Sequence, residues 1–454
     1  PPVLAGSWMD KRLISRSRVW GPSLTLQETV MTALASDIDV PALQRRVRNV
    51  LVLGQIMAGL GMGATFSMGS ILAGRLSGSD AWSGMAASVA TLGAALAAIP
   101  LARLAARYGR RVSLTTGALI ASSGAVVTIT AVIQAWFPLL LAGLMLIGVA
   151  TAVNLQSRFA ATDLAAPATR GRDLSVVVWA TTVGAVSGPN LLVPGEALGR
   201  YLGLPELAGP FVFSLIAQLL AAVVYIVALK PDPLKLAGEL SSGTLKAGVG
   251  GIAPVVDNPV MAKTAITATA LSHATMVSVM AMTPVHLVNH GASLAIVGFT
   301  ISLHIAGMYA LSPVFGMIAD KFGRISTILL GQAILALSLA FTGFGADNEI
   351  AVVVGLVLLG LGWSASTVAG STLLTESTSI DKRASRQGVS DLLMSGSGAV
   401  GGALAGVALA LMGYSGLSFA ALALVVSVLI RVFVTSSARN QAPPSRGDYV
   451  TYDI

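Results

Sequence analysis

The chain reads as an all-α membrane protein of twelve transmembrane helices in two pseudo-symmetric six-helix bundles, and three observations predict this. Apolar residues make up 54 % and charged residues 11 %, a balance at which a soluble chain of this length would precipitate. Apolar runs long enough to cross about 30 Å of hydrocarbon recur at short intervals from Val50 onward. The two halves of the chain also repeat each other around a polar turn.

Residues 1–47 mix polar and apolar side chains, with Lys11, Arg12, Arg16 and Arg18 early. They are expected to form a cytoplasmic extension near the membrane surface, with a short amphipathic helix at 24–35 and nothing resembling a cleavable secretory signal. Six spans follow at about 48–72, 83–103, 112–133, 137–159, 174–195 and 208–229, forming a first bundle over 48–229. A polar cytoplasmic linker occupies 230–258. The second bundle, 259–434, holds spans at 260–287, 292–316, 325–344, 350–374, 388–412 and 414–434. The tail, 435–454, is polar, carries Pro443 and Pro444, and is expected to be a disordered cytoplasmic segment.

Of 28 Lys and Arg residues, only Arg75 and Arg200 fall in the loops of the outer side when the N-terminus is placed inside. This asymmetry predicts a multi-pass protein of the cell (inner or plasma) membrane with both termini in the cytoplasm. The cations sit in short loops rather than on a face with interleaved aromatics, so nucleic acid is not an expected partner. Membrane lipids are. There is no cysteine, which excludes disulfides, zinc-thiolate sites and thiol nucleophiles. No GxxxxGK[ST] loop is present to drive transport by ATP hydrolysis. His286 and His290, spaced i,i+4, are a weak metal signal on their own, so no metal and no enzymatic activity are expected.

The repeat centres on Gly316 to Arg324, which reads Gly-Met-Ile-Ala-Asp-Lys-Phe-Gly-Arg. Gly316, Ala319 and Gly323 allow helix ends to approach, Asp320 suits a cation or a helix N-terminus, and Lys321 and Arg324 suit anionic headgroups. Leu104 to Arg111 aligns with Ile318 to Ile325, placing Gly109 on Gly323 and Arg110 on Arg324, with Arg111 following. Asp163, Arg170 and Arg172 after span four parallel Glu376, Arg383 and Arg386 after span ten. This turn resembles the signature between the second and third helices of each half of the major facilitator superfamily. The resemblance covers about 48–434. It implies two six-helix halves that alternate between inward- and outward-open states, as a monomer without a cofactor, with the proton gradient as driving force. Arg110, Arg111, Arg170, Arg172, Asp320, Arg324, Glu376, Arg383 and Arg386, with Gly109, Gly316 and Gly323, become the gating set.

Span five carries Gly184-Ala-Val-Ser-Gly188-Pro189. It resembles the opening of the GxxxGP motif of proton-driven exporters in that superfamily, although Asn190-Leu-Leu follows where the motif continues into a Gly pair. Glycines one turn apart admit a neighbouring helix, and Pro189 permits a kink. Two positions depart from the family pattern. Ala106 stands where the first-half signature has the Asp that latches the cytoplasmic side, and Leu144 stands four residues before Gly148 where exporters place an Arg.

Ionisable groups at membrane depth are costly and therefore informative. His273 in span seven and His304 in span eight are candidate proton carriers, as are Asp163 and Asp391, although the acids near Arg158 and Arg170 read first as gate ion pairs. Gln55, Met57, Asn154, Gln156, Trp179, Met276, Met280 and Trp363 are the candidate cavity-lining groups. They describe an apolar cavity with adaptable Met side chains and few polar handles, suited to a small lipophilic substrate or a lipid. The expected function is a multidrug-type antiporter that exports hydrophobic or amphipathic compounds in exchange for protons. A lipid or glycolipid flippase, an importer of a small metabolite, and a non-transporting scaffold or receptor are the alternatives.

Overall fold

Proline in the first turn, preceded by Asp or Asn, opens several of the helices, because the missing N–H is one the helix cannot use and the side chain takes another. Asp39 accepts from the Ala42 amide at 2.9 Å, and Asn258 accepts from the Met261 amide at 3.1 Å. The computed structural model describes residues 38–78, 82, 85–187, 192–243 and 255–441. The expected helix at 24–35 and the Gly188-Pro189 pair lie outside these residues.

The first half contains α1 (Val40–Ser77), α2 (Met85–Tyr108), α3 (Arg110–Ile133), α4 (Phe137–Ala160), α5 (Arg170–Ser187), the short α6 (Leu192–Tyr201) and α7 (Gly209–Ala228). A nine-residue helix, α8 (Pro233–Ser241), lies in the linker. The second half contains α9 (Pro259–Asn289), α10 (Leu294–Tyr309), α11 (Ser312–Phe322), α12 (Arg324–Phe344), α13 (Glu349–Glu376) and α14 (Ile380–Gln441). Helices α10 and α11 are one bent span. Pro313 cannot donate to the Tyr309 carbonyl, which accepts instead from Ser312 Oγ at 2.7 Å. Gly413, at φ 70° and ψ −177°, breaks α14 into the last two passes. Among the described residues nine helical segments are long and apolar enough to cross a membrane. With α14 counted as two passes, and α1 and α5 added, the described residues make twelve passes.

Some boundaries differ from the sequence expectation. The described part of the fifth span ends at Ser187, and a short helix, α6, lies over Leu192–Tyr201, beyond the expected end of that span at 195. The last helix runs through Gln441, past the expected end at 434. The linker is partly helical because Asp232-Pro233 starts a turn and Leu234, Leu236, Ala237 and Leu240 give it an apolar side to bury.

Each half has its own apolar interior. Leu51, Leu101, Leu114, Val153 and Tyr225 anchor the first, and Val279, Leu335, Leu356 and Trp363 the second. In the first half Gly59 of α1 and Gly184 of α5 meet backbone to backbone, leaving no room for a Cβ on Gly184. Gly184→Ala is expected to lower the melting temperature in detergent, since overpacking a tight contact costs about 1–3 kcal/mol. The repeat extends to backbone conformation. Gly109 and Gly323 both sit at φ 94°, where a side chain would be strained, and each connects one helix directly to the next. Both described chain ends lie at one end of the bundle with most of the Arg and Lys, the basic end.

Candidate functional site

The sites that join the halves form three layers, beginning at the basic end with the second-half turn. Asp320, at the end of α11, accepts from the Gly171 and Arg172 amides, each at 2.9 Å. It therefore caps α5 across the interface, where backbone donors and the helix dipole favour a carboxylate. Arg324 pairs with Asp320 at 3.2 Å and with Glu376 at 2.8 Å, and donates to the Pro167 carbonyl at 2.7 Å. Arg170 lies 3.5 Å from Glu376. Gly316 leaves space for Gly171 and Ser175, and Ser312 Oγ, whose proton the nearer Tyr309 carbonyl shares, lies 3.0 Å from the Ser175 carbonyl. Arg172 thus enters the interface through its backbone amide.

The equivalent layer around the first-half turn is built differently. Arg110 makes two hydrogen bonds to Asp163, at 2.8 and 3.3 Å, and donates to Gln387 of α14. Arg383 is fully buried, 3.9 Å from Asp163, and none of its three guanidinium nitrogens makes a hydrogen bond among the described residues. Arg111 faces the first half, donating to the Ile226 carbonyl at 2.8 Å. Thr162 and Thr375 meet across the interface at 3.2 Å, and Gln387 donates to Thr375 at 3.2 Å.

Arg386 does not cross to the other half. It holds Asp257, just before α9, with bonds of 2.6 and 2.8 Å, and Lys382 adds a third at 3.2 Å. The Arg386 guanidinium keeps the Asp257 carboxyl below the usual carboxylate range, with Lys382 and the Ser379 amide assisting. A carboxyl lowered in the folded state stabilises above its ordinary pKa of 3.8 and loses that contribution as pH falls through its folded value. Asp257→Asn is therefore expected to lower the melting temperature at neutral pH, with the difference from the parent shrinking as the solution is acidified below that range.

The third layer lies deeper in the spans. Arg158 of α4 donates to Asp391 of α14 at 2.7 Å, and their side chains are only 3 % and 1 % exposed. The pair is under-satisfied, because Arg158 Nε and Asp391 Oδ2 are buried without a hydrogen bond among the described residues. His273 Nδ1 accepts from Trp363 Nε1 at 3.0 Å, so neutral His273 carries its proton on Nε2. Tyr309 meets the Trp363 ring edge-on at 5.7 Å. His304 is fully buried elsewhere in the second half, where its Nδ1 lies 2.8 Å from the Leu356 carbonyl and its Nε2 has no partner among the described residues. The two histidines are thus held by positions on α13 seven residues apart, about 10 Å along the helix axis.

The remaining candidates divide between the interiors of the halves and less enclosed positions. Gln55 and Asn154 converge on Thr181 Oγ1, at 3.0 and 3.5 Å. Gln156 is bound within the first half by Ser113 at 3.0 Å. Met57 packs against the first core, Met280 against the second, and Met276 lies within the second at 2 % exposure. Trp179 is 39 % exposed.

Sequence reading placed Arg158 and Asp391 among gate charges without pairing them, and did not single out Tyr309 or Thr181. The available signal for the pair was that both are ionisable residues within long apolar runs, where each needs a partner. Leu144 is buried in the first half, and Arg158, further along the same helix, supplies the buried cation of span four.

This arrangement, two six-helix halves joined by charged turns and a buried inter-half ion pair, agrees with the relatives of the chain. The family model described as Major Facilitator Superfamily matches residues 51–293 and 264–450. The chain is 37 % identical over 392 residues to the uncharacterized MFS-type transporter YdeG of Bacillus subtilis, covering 86 % of this chain and 90 % of that one. It is 25 % identical over 408 residues to the riboflavin transporter RfnT of Brucella anthropi, covering 89 % and 99 %. Among solved structures, the human organic anion transporter MFSD10 (TETRAN) superposes with a TM-score of 0.66 at 16 % identity, covering 86 % of this chain and 99 % of that one, a likeness of fold. The chain belongs to the Major Facilitator Superfamily and is an integral multi-pass membrane protein, a secondary transporter rather than an enzyme.

Proposed function

We propose that the protein exports amphipathic compounds by alternating access, driven by proton entry, and that the Arg158–Asp391 pair couples the two movements. The observation that carries this reading is the under-satisfied, buried pair between the halves, among the described residues the one contact of the third layer in which both partners are charged. A buried carboxylate held by one hydrogen bond is a site where adding a proton changes the attraction between two rigid bodies. With the basic end facing the cytoplasm, the contacts at Asp320, Asp163 and Asp391 close the inner side in this conformation. A proton arriving from outside at Asp391 weakens the pair and favours opening inward. Release of that proton to the cytoplasm and loading of substrate complete the cycle. Tyr309 and Asn154, neither of them fully buried, supply apolar surface and a polar handle for an amphipathic molecule.

The test is transport in proteoliposomes under an imposed pH gradient, with a panel of lipophilic compounds and fluorescent lipids while internal pH is followed. Substrate movement opposite to protons supports the exporter. Lipid redistribution without other transport supports a flippase and removes the exporter reading.

A second reading, uptake of an organic anion together with a proton, is favoured by the charge balance of the interface. Arg110, Arg158, Arg170, Arg324 and Arg383 lie there against Asp163, Asp320, Glu376 and Asp391, an excess of one cation. An anion could take the place of Asp391 on Arg158 once Asp391 is protonated, which would make proton and substrate travel together. The 25 % identical relative is a riboflavin transporter. Proton flux in the same direction as substrate selects this reading.

A further inference from the structure

The two turn signatures differ at the position that matters most for closing. Asp320 stands in the second copy and Ala106 in the first. In the second copy the carboxylate works because α5 begins at Arg170, which leaves the Gly171 and Arg172 amides unclaimed. Arg170 matches Arg383 in the repeat, so the equivalent amides are those of Ala384 and Ser385. But α14 begins at Ile380, one turn earlier, and these two amides already lie inside the helix. A carboxylate at position 106 would have no free donor to bind.

What occupies this place is Leu234 of the linker helix α8. It forms a small apolar cluster with Ala105 of α2 and Ala384 of α14, at 7 %, 0 % and 2 % exposure. One turn on, Gly238 approaches Ile380 closely enough that an added Cβ would lie 3.8 Å from its Cγ2. Leu236, Ala237 and Leu240 of the same helix pack into the first-half core. Asp232 fixes the helix in place. It accepts from the Leu234 and Lys235 amides at 3.1 and 3.2 Å and from the Arg111 amide at 2.8 Å, so a single carboxylate caps both α8 and α3 beside Gly109.

We infer that α8 is the first-half member of the closing latch, with Leu234, positioned by Asp232, replacing by apolar burial the hydrogen bonds that Asp320 supplies in the second. The helix stays with the first half, and opening of the basic end exposes Leu234, Ala105 and Ala384 to water. This role is independent of which substrate or ion is carried.

The chain has no cysteine, so an introduced pair reports without interference. Thr162→Cys with Thr375→Cys, whose hydroxyls are 3.2 Å apart across the halves, reads closure of the basic end as the rate of disulfide formation. Adding Leu234→Ala is expected to slow cross-linking on the order of tenfold, because the buried apolar contact is lost only from the closed state. Leu234→Met, which keeps apolar volume, should restore the rate, and Asp232→Ala should slow it as Leu234→Ala does. Leu236→Ala, a comparable truncation toward the first-half core, should lower the melting temperature without slowing cross-linking. An unchanged rate in Leu234→Ala overturns the inference. So does equal slowing in Leu236→Ala, which would make the effect one of general stability.

Discussion

Replacing Asp391 by Asn is expected to abolish accumulation of substrate driven by a pH gradient while leaving exchange of substrate between the two sides measurable. The amide oxygen of Asn can still accept from Arg158 Nη2, so the inter-half contact at 2.7 Å survives in part. What is lost is the group that changes charge. The halves can still move, but their movement no longer depends on a proton. The reciprocal change, Arg158→Met, acts by a different physical route and has a larger structural effect. It leaves a carboxylate buried with no cation to face it, a loss worth about 3–5 kcal/mol when a buried pair is broken from one side. The closed conformation then survives only with Asp391 protonated. Substrate flux and internal pH measured together in proteoliposomes check both variants. Retained gradient-driven accumulation in Asp391→Asn would remove Asp391 from coupling and leave the pair a fixed strut between the halves.

Asp320→Asn is expected to impair closure of the basic end far more than it affects substrate binding. The carboxylate accepts two backbone donors and faces Arg324 at 3.2 Å. An Asn side chain offers one oxygen, turns an NH2 group toward the other amide, and removes the charge. Hydrogen bonds to charged groups contribute about 1.5–3 kcal/mol each. Loss of one of them, with the other reduced to a neutral bond, therefore shifts the closed-to-open ratio by roughly a hundredfold. Cross-linking between cysteines at positions 162 and 375 should slow accordingly, and turnover should fall with little change in the substrate concentration giving half-maximal transport. Unimpaired turnover would show that Arg324, through Glu376 and the Pro167 carbonyl, closes this side without Asp320.

Much of the architecture is legible from the chain because each pass is a long apolar run and each connection is short. The turn signature marks the ends of α2 and α11, and Gly413 lies in the gap expected between the last two passes. Helix rotation is a different matter. In a bilayer both the lipid-facing and the protein-facing sides of a helix are apolar, so periodicity does not reveal which side Gln156 or Met276 takes. Both turn into the interior of their own half. His273 and His304 look alike in sequence, yet one is held by Trp363 near the inter-half pair and the other is enclosed beside the Leu356 carbonyl. The pairing of Arg158 with Asp391, far apart in the chain and in different halves, is a property of how the bundles dock and has no local pattern. Helix α8 was missed as an element because nine residues are too few to announce a helix without the surface that stabilises them.

The burial of α8 against α1 also decides where the first half ends as a folding unit. Val40, Val47 and Leu51 share their apolar surroundings with Leu236, Ala237 and Leu240, although the last pass of that half finishes at Ala228. A fragment cut just after that pass would carry an uncovered greasy strip at its aqueous edge and would self-associate. One extended through Ser241 would bring its own cover, so the natural place to divide the polypeptide for expression as two separately translated pieces lies beyond the linker helix, not before it.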